Sequence, residues 1–241
     1  MPETSFVALI NTRNEQARKR IGNHFLVGIG CGNGFVFARR PTTIRLTKTE
    51  NQPGHADWSI NFNKRIVVAS IGEGGDANEF LDSITEASEE LCSFVSDRYL
   101  THKYVADVTR RYLKERYDDI LRVDPYAVTA ISAALDDSPR FCVFDFTGRM
   151  RKFSFFAVTG CVEGDNESRK RRDGAIGFLT EQCGNGQSVR WGVNDRGTRT
   201  ILDVFRKFDP PQKGELIQFV WSTHDGLRSG FRSISKTKKT K

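Results

Sequence analysis

Two long amphipathic patterns stand back to back near the middle of this chain, with strand-like runs before and after them, and no other feature constrains its fold as much. Phe80, Leu81, Ile84, Ala87, Leu91, Phe94 and Val95 recur at three- and four-residue steps, while Asp82, Glu86, Glu89 and Glu90 take the opposite side, which predicts one helix over about 76–99. Val105, Val108, Tyr112, Leu113, Tyr117, Ile120 and Leu121 predict a second over about 102–122, ended at Pro125. Strands, two consecutive helices and strands again lack the strict alternation that a doubly wound parallel sheet requires. Two antiparallel sheets with helices packed outside them satisfy the order, so the expected class is α+β.

The strand expectations are local. Phe25 to Ile29 and Phe35 to Ala38 flank the glycine-rich Gly30 to Gly34, a hairpin signal. Ile44 to Leu46, Trp58 to Phe62 and Ile66 to Ile71 complete a first set. Tyr126 to Leu135, Phe141 to Phe146 and Lys152 to Val158 follow the helices as three strands. In the last third, Ala175 to Cys183 and Thr198 to Phe208 read as helices, Pro210-Pro211 breaks the second, and Leu216 to Trp221 and Leu227 to Ile234 read as strands around Asp225-Gly226. The polar stretch Asn11 to Arg20 reads as an extension, which divides the chain into an extension over 1–22, one domain over 23–235 and a basic tail over 236–241. Met1 to Asn23 and the tail are expected outside the sheet core, because their charge cannot be buried unpaired.

Composition removes several function classes. With 241 residues, 38% of them hydrophobic, the chain can bury a sizeable core, and 18 Phe against 5 Tyr favours packed interiors. No apolar run reaches the roughly eighteen residues of a membrane span, and the N-terminus shows no apolar signal-peptide core. Five scattered cysteines with no CxxC pair read as reduced thiols of the cytoplasm or nucleus, and the four scattered histidines give no metal-ligand spacing. Gly28, Gly30, Gly32 and Gly34 lie between two strands and open no helix, so no phosphate loop and no cofactor is expected. The net charge of +7 is carried largely by Arg169-Lys170-Arg171-Arg172, read as a solvated loop, and by Lys236 to Lys241. Neither run interleaves with aromatic residues and no zinc-finger or RNA-recognition signature is present, which disfavours nucleic-acid binding.

The stretch Val67 to Phe80 reads as a buried strand ending at Gly72, a reversal through Gly74-Gly75 and a helix start that Asp76 can cap. Glu73 and Asp76 are a carboxylate pair, but at a helix N-terminus they read as capping and dipole partners rather than as acid and base. Gly72-Glu73-Gly74-Gly75-Asp76-Ala77 with Phe80 resembles the Gly-Glu-Ala-Gly-Asp-x-x-x-Phe that opens the first long helix of type-2 beta subunits of the 20S proteasome. His24 to Ile29 and Gly34 to Ala38 are similar to that family's opening hairpin. Thr109-Arg110-Arg111, Pro125-Tyr126-x-Val128 and Asp145-Phe146-Thr147-Gly148 resemble further motifs of the family in the same order.

The resemblance implies the four-layer alpha/beta/beta/alpha sandwich of N-terminal-nucleophile (Ntn) hydrolases. It further implies a place among other alpha and beta subunits in heptameric rings, at the fourth beta position, around a chamber that confines unfolded polypeptide. Active members use an N-terminal threonine tuned by an aspartate and a lysine. By position along the hairpin the threonine falls on His24, the aspartate on Arg40 and the lysine on Trp58. A guanidinium and an indole supply neither the carboxylate nor the amine, so the implied role is non-catalytic, in the chamber wall and ring assembly of ubiquitin-dependent degradation in cytoplasm and nucleus. Cys31 follows Gly30 as a processed nucleophile would, although cutting there discards the first strand. Three other readings stay open: an alpha-type subunit, since Glu15-Gln16-Ala17 resembles the Glu-Tyr-Ala ahead of the alpha hairpin, a self-processing hydrolase of the same fold, and a basic RNA-associated protein.

Overall fold

The structure, a computed structural model, describes residues 3–22, 24–40, 59–62, 66–94, 100–119, 124–135, 139–160, 166–212, 215–223 and 225–234. The chain is a mixed α/β fold with two five-stranded antiparallel sheets. Helix α1 (Glu3–Ile21) leads into β1 (Phe25–Cys31) and β2 (Gly34–Arg39), then β3 (Ser59–Phe62), β4 (Ile66–Gly72), α2 (Gly74–Phe94) and α3 (His102–Asp118). Strands β5 (Val128–Leu135), β6 (Pro139–Phe144), β7 (Met150–Ser154) and β8 (Phe156–Gly160) follow, then α4 (Asn166–Cys183), α5 (Thr198–Phe208), β9 (Leu216–Thr223) and β10 (Gly226–Ser233). The first sheet runs β10-β9-β2-β1-β8 and the second β3-β4-β5-β6-β7.

Strand β1 is buried along its whole length because both of its faces are covered. One face gives Phe25, Val27, Ile29 and Cys31 to a core shared with Ala175, Leu179 and Cys183 of α4 and Ile201, Val204 and Phe205 of α5. The other face meets the second sheet, where Leu26, Phe35 and Phe37 pack with Val67, Ala69, Ile131, Ala133 and Phe141. Beyond the second sheet, Phe80, Leu81 and Ile84 of α2 and Val105, Val108 and Leu113 of α3 cover Val68, Val128, Ala130 and Phe144. Each fully buried large side chain among these contributes roughly 1.5–3 kcal/mol of apolar transfer.

Between the sheets Phe141 meets Phe35 edge-on with ring centroids 5.6 Å apart, and Phe37 at 6.3 Å. Gly28 makes room for them, since a Cβ there would stand 2.7 Å from the Phe37 ring. That spacing admits no side chain, and the glycine is what lets two bulky rings occupy the seam.

Several expectations change on folding. The single strand over 152–158 is two strands in different sheets: β7 pairs with β6, β8 pairs with β1, and the chain crosses at Phe155, whose φ is +70°. Holding a non-glycine residue there costs about 1–2 kcal/mol, offset in part by the Phe155 carbonyl accepting the Gly30 N–H at 2.8 Å. Arg169 to Arg172 is no loop but the opening of α4, which begins at Asn166 rather than near Ala175. The second long helix ends at Asp118, with the Asp119 N–H returned to the Glu115 carbonyl. The polar stretch ahead of the hairpin belongs to α1, whose Ala17 and Ile21 are buried against Ala127 and Phe146 in a cluster of their own. The strand expected over 44–46, residue 58 and the tail over 236–241 lie outside the described residues.

Replacing Phe141 by Ala removes the ring that joins the two sheets, and we expect a loss of about 3–5 kcal/mol. Urea unfolding followed by tryptophan fluorescence measures it; a loss under about 1 kcal/mol would show that the seam closes without this ring.

Candidate functional site

The residues singled out in the opening hairpin meet at one buried carboxylate. Helix α5 ends at Asp209, immediately before Pro210-Pro211, and the Asp209 N–H closes on the Phe205 carbonyl at 3.0 Å. The Asp209 side chain is 1% exposed. Its Oδ2 accepts the Phe25 N–H at 3.2 Å, and its Oδ1 accepts from Arg40 Nη1 at 2.9 Å. His24 Nδ1 stands 3.6 Å from Oδ1, just beyond hydrogen-bond length, and Arg171 Nη1 of α4 stands at 3.8 Å. Arg40 reaches further, with Nη2 donating to Glu215 Oε2 at 2.6 Å and Nη1 to the Pro210 carbonyl at 3.3 Å.

The electrostatics follow from position. A carboxylate at a helix C-terminus faces the negative end of the helix dipole, so it needs cations around it. Two guanidiniums, Arg40 and Arg171, stand against two carboxylates, Asp209 and Glu215, and the cluster balances. Burial alone would raise the Asp209 pKa. The His24 ring, the Arg40 charge and the Phe25 N–H outweigh it and hold the carboxyl below its ordinary value. Its oxygens are occupied by donors from the start of β1 and the end of β2, so the chemistry on offer is the fastening of the hairpin, α4 and α5 to one point. Gly160 closes the same corner with φ +84°, where a Cβ would stand 2.0 Å from the His24 carbonyl.

Of the three positions expected to replace a catalytic set, His24 and Arg40 are thus brought together, and Trp58 lies outside the described residues. Asp209, Glu215 and Arg171 had not been anticipated. An acid at the end of a helical pattern, just before Pro210-Pro211, is the signal that could have marked Asp209. Cys31 sits at the far end of β1, fully buried, with its thiol pushed up to about 12 by burial and the nearby Cys183. A thiol so held is a packing group and a poor nucleophile. Among the described residues no three His, Cys, Asp or Glu side chains converge as metal ligands, and no described helix is long and apolar enough to cross a membrane.

The strand–helix motif has a different structural use from the one expected. Helix α2 starts at Gly74, so Gly75 and Asp76 lie inside its first turn and Asp76 does not cap it. Gly72 ends β4, the Glu73 N–H donates to the Ala127 carbonyl, and Asp76 Oδ2 accepts the Ala127 N–H at 2.7 Å. Arg20 of α1 bonds both Glu73 and Asp76. The two carboxylates therefore keep their favourable place at a helix N-terminus while docking α1 and the approach to β5. A scan against protein-family models matches none, and a search of the curated proteins finds no match.

Two outcomes are expected. Asp209→Asn leaves Arg40 short of a buried counter-charge and should cost about 3 kcal/mol near neutral pH. Because the folded pKa is depressed, Asp209 contributes its stability in full above the unfolded value of about 3.9 and loses it as pH falls through the folded one, so the gap between wild type and variant should begin to narrow below about pH 4 and close only below the folded pKa. Denaturant titrations at a series of pH values test this, and a difference unchanged down to pH 2 or so would remove Asp209 from the account. In native protein at pH 8 or so, iodoacetamide should modify half-buried Cys92 and spare Cys31 and Cys183 until denaturant is added, as read by peptide mass spectrometry.

Proposed function

We propose that this chain is a non-catalytic beta-type subunit of the 20S proteasome core, folded as the four-layer alpha/beta/beta/alpha sandwich of the Ntn hydrolases. The observation that carries the reading is what occupies the family's catalytic corner: His24 and Arg40 gathered on buried Asp209. An Ntn nucleophile needs a free terminal amine, a hydroxyl and a tuned acid and base around it. His24 and Arg40 bring neither a hydroxyl nor an acid to that corner, and Asp209 is already engaged by Arg40 and the Phe25 N–H, which fits a subunit that has kept the scaffold without the reaction.

Two facing antiparallel sheets, with one helix pair on the outer face of each, support the sandwich. The role is architectural. Every member of a closed ring presents complementary faces to its neighbours, so a silent subunit still determines whether the chamber closes around unfolded polypeptide. Its partners would be the other beta and alpha subunits, and its setting ubiquitin-dependent degradation in cytoplasm and nucleus. The alpha-type alternative is favoured by one observation: Glu15-Gln16-Ala17 lies in α1, with Ala17 2% exposed.

Native mass spectrometry of particles purified from the source through a tag on this chain tests the proposal. One copy beside the other beta chains of each ring is expected. A place in the outer rings would favour the alpha-type reading, co-purified RNA the nucleic-acid reading, and a monodisperse monomer would defeat the architectural one. In the same particles a threonine-directed epoxyketone should leave this chain unlabelled, even as a His24→Thr form cut so that residue 24 is terminal. The hydroxyl would still face Arg40, and losses within such a catalytic unit are far from additive.

A further inference from the structure

Some cations of the described surface are matched by acids, among them Lys19 with Glu15, Arg116 with Glu79, Arg199 with Asp195 and Arg206 with Asp203. At the outer edge of the second sheet several unmatched ones cluster. Arg140 on β6, Arg149 in the turn, and Arg151 and Lys152 on β7 are all exposed, and none forms an ion pair among the described residues. The Thr147-Gly148 turn lies against α3, where a Cβ on Gly148 would stand 3.0 Å from the Arg110 carbonyl, so exposed Arg110 borders the same surface. Asp118 is taken by Lys114, while Asp145, whose Oδ1 accepts the Thr147 N–H and hydroxyl and the Arg149 N–H, and Asp107, which like Lys152 stands near Cys142, are outnumbered by Arg110, Arg140, Arg149, Arg151 and Lys152.

This surface is also a sheet edge. In the described residues β7 pairs with β6 alone. The Asp145 N–H donates to the Arg149 carbonyl at 3.1 Å, and the register pairs Val143 with Arg151 and Phe141 with Phe153. Hydrogen-bonded pairs alternate along an antiparallel ladder, so residues 149, 151 and 153 spend their backbone groups on β6. Met150, Lys152 and Ser154 therefore turn theirs outward.

We propose that the β7 edge is a docking site for an acidic, extended segment of a partner polypeptide, which adds to the second sheet as a further strand and pairs its carboxylates with Arg140, Arg149, Arg151 and Lys152. Strand addition supplies affinity through main-chain hydrogen bonds and specificity through side chains. An open row of N–H and C=O groups is complemented by a polypeptide and not by a phosphate backbone, which selects protein over nucleic acid as the occupant. The same cations repel a second copy of this edge, as charged edge residues do. The inference stands independently of the proteasome reading.

The test uses the full chain and a fluorescein-labelled Glu-rich peptide with Glu at both odd and even positions, so that carboxylates reach Arg140 and Lys152 on one face and Arg149 and Arg151 on the other, followed by anisotropy, with a single-stranded oligouridine as competitor. We expect saturable binding that weakens with salt, about tenfold or more weaker binding by the Arg151→Glu, Lys152→Glu double variant, and slowed hydrogen exchange at the Lys152 amide. Lys152→Pro removes the outward N–H without touching the ladder to β6 and should weaken binding more than Lys152→Ala. Circular dichroism melts confirm that each variant is folded. Absence of binding, equal binding by the double variant, unchanged exchange along β7, or displacement of the peptide by oligouridine at lower concentration would each overturn the proposal.

Discussion

Burial on both faces is the constraint from which the rest of this structure follows. Strands β1 and β4 have no polar face: one side of each meets a helix pair and the other meets the opposite sheet. Such strands sit inside their sheets, where the hairpin β1–β2 and the strands β4–β5 are found, and strands with polar faces, β7 and β10, each take one edge. The seam between the sheets tolerates Phe35, Phe37 and Phe141 because the residues opposite are Gly28, Ala69, Ala133 and Ala157. Large and small residues interlock there, as native packing density requires.

Where that apolar plan meets the end of a strand, charge takes over. The start of β1 cannot continue its ladder indefinitely, and its first N–H is received by Asp209, which must itself be neutralised by Arg40 and Arg171. The corner at the start of β1 is held together by these ion pairs, with His24 and Arg40 both drawn to Asp209. Arg20, bonded to Glu73 and Asp76, repeats the device at another helix end.

Much of this was legible in the residues. The opening hairpin, the long helices, the last helix Thr198–Phe208 and the penultimate strand follow from periodicity and glycine placement, and the structure has them at or near the expected positions. Besides helix α1, three features escaped. The break at Phe155 is invisible because a phenylalanine with positive φ leaves the alternation of its neighbours intact. The basic opening of α4 looks like a solvated loop, since Arg169 and Lys170 do face water while Ser168 and Arg171 turn inward, a distinction that composition does not carry. Asp209 stayed hidden because its partners lie at the other end of the chain, and local pattern reports nothing on such contacts.

Sheet order also fixes a sequence of events in time. Hairpin β1–β2 is made before the other described strands, yet its neighbours β8 and β9 are among the last of them. The second sheet, by contrast, joins consecutive strands throughout, its one long excursion being α2 and α3 between β4 and β5. A hairpin with two apolar faces must therefore wait, unpaired on both edges, while most of the chain is synthesised. In that interval its apolar faces and strand edges are what the growing chain must keep from aggregating.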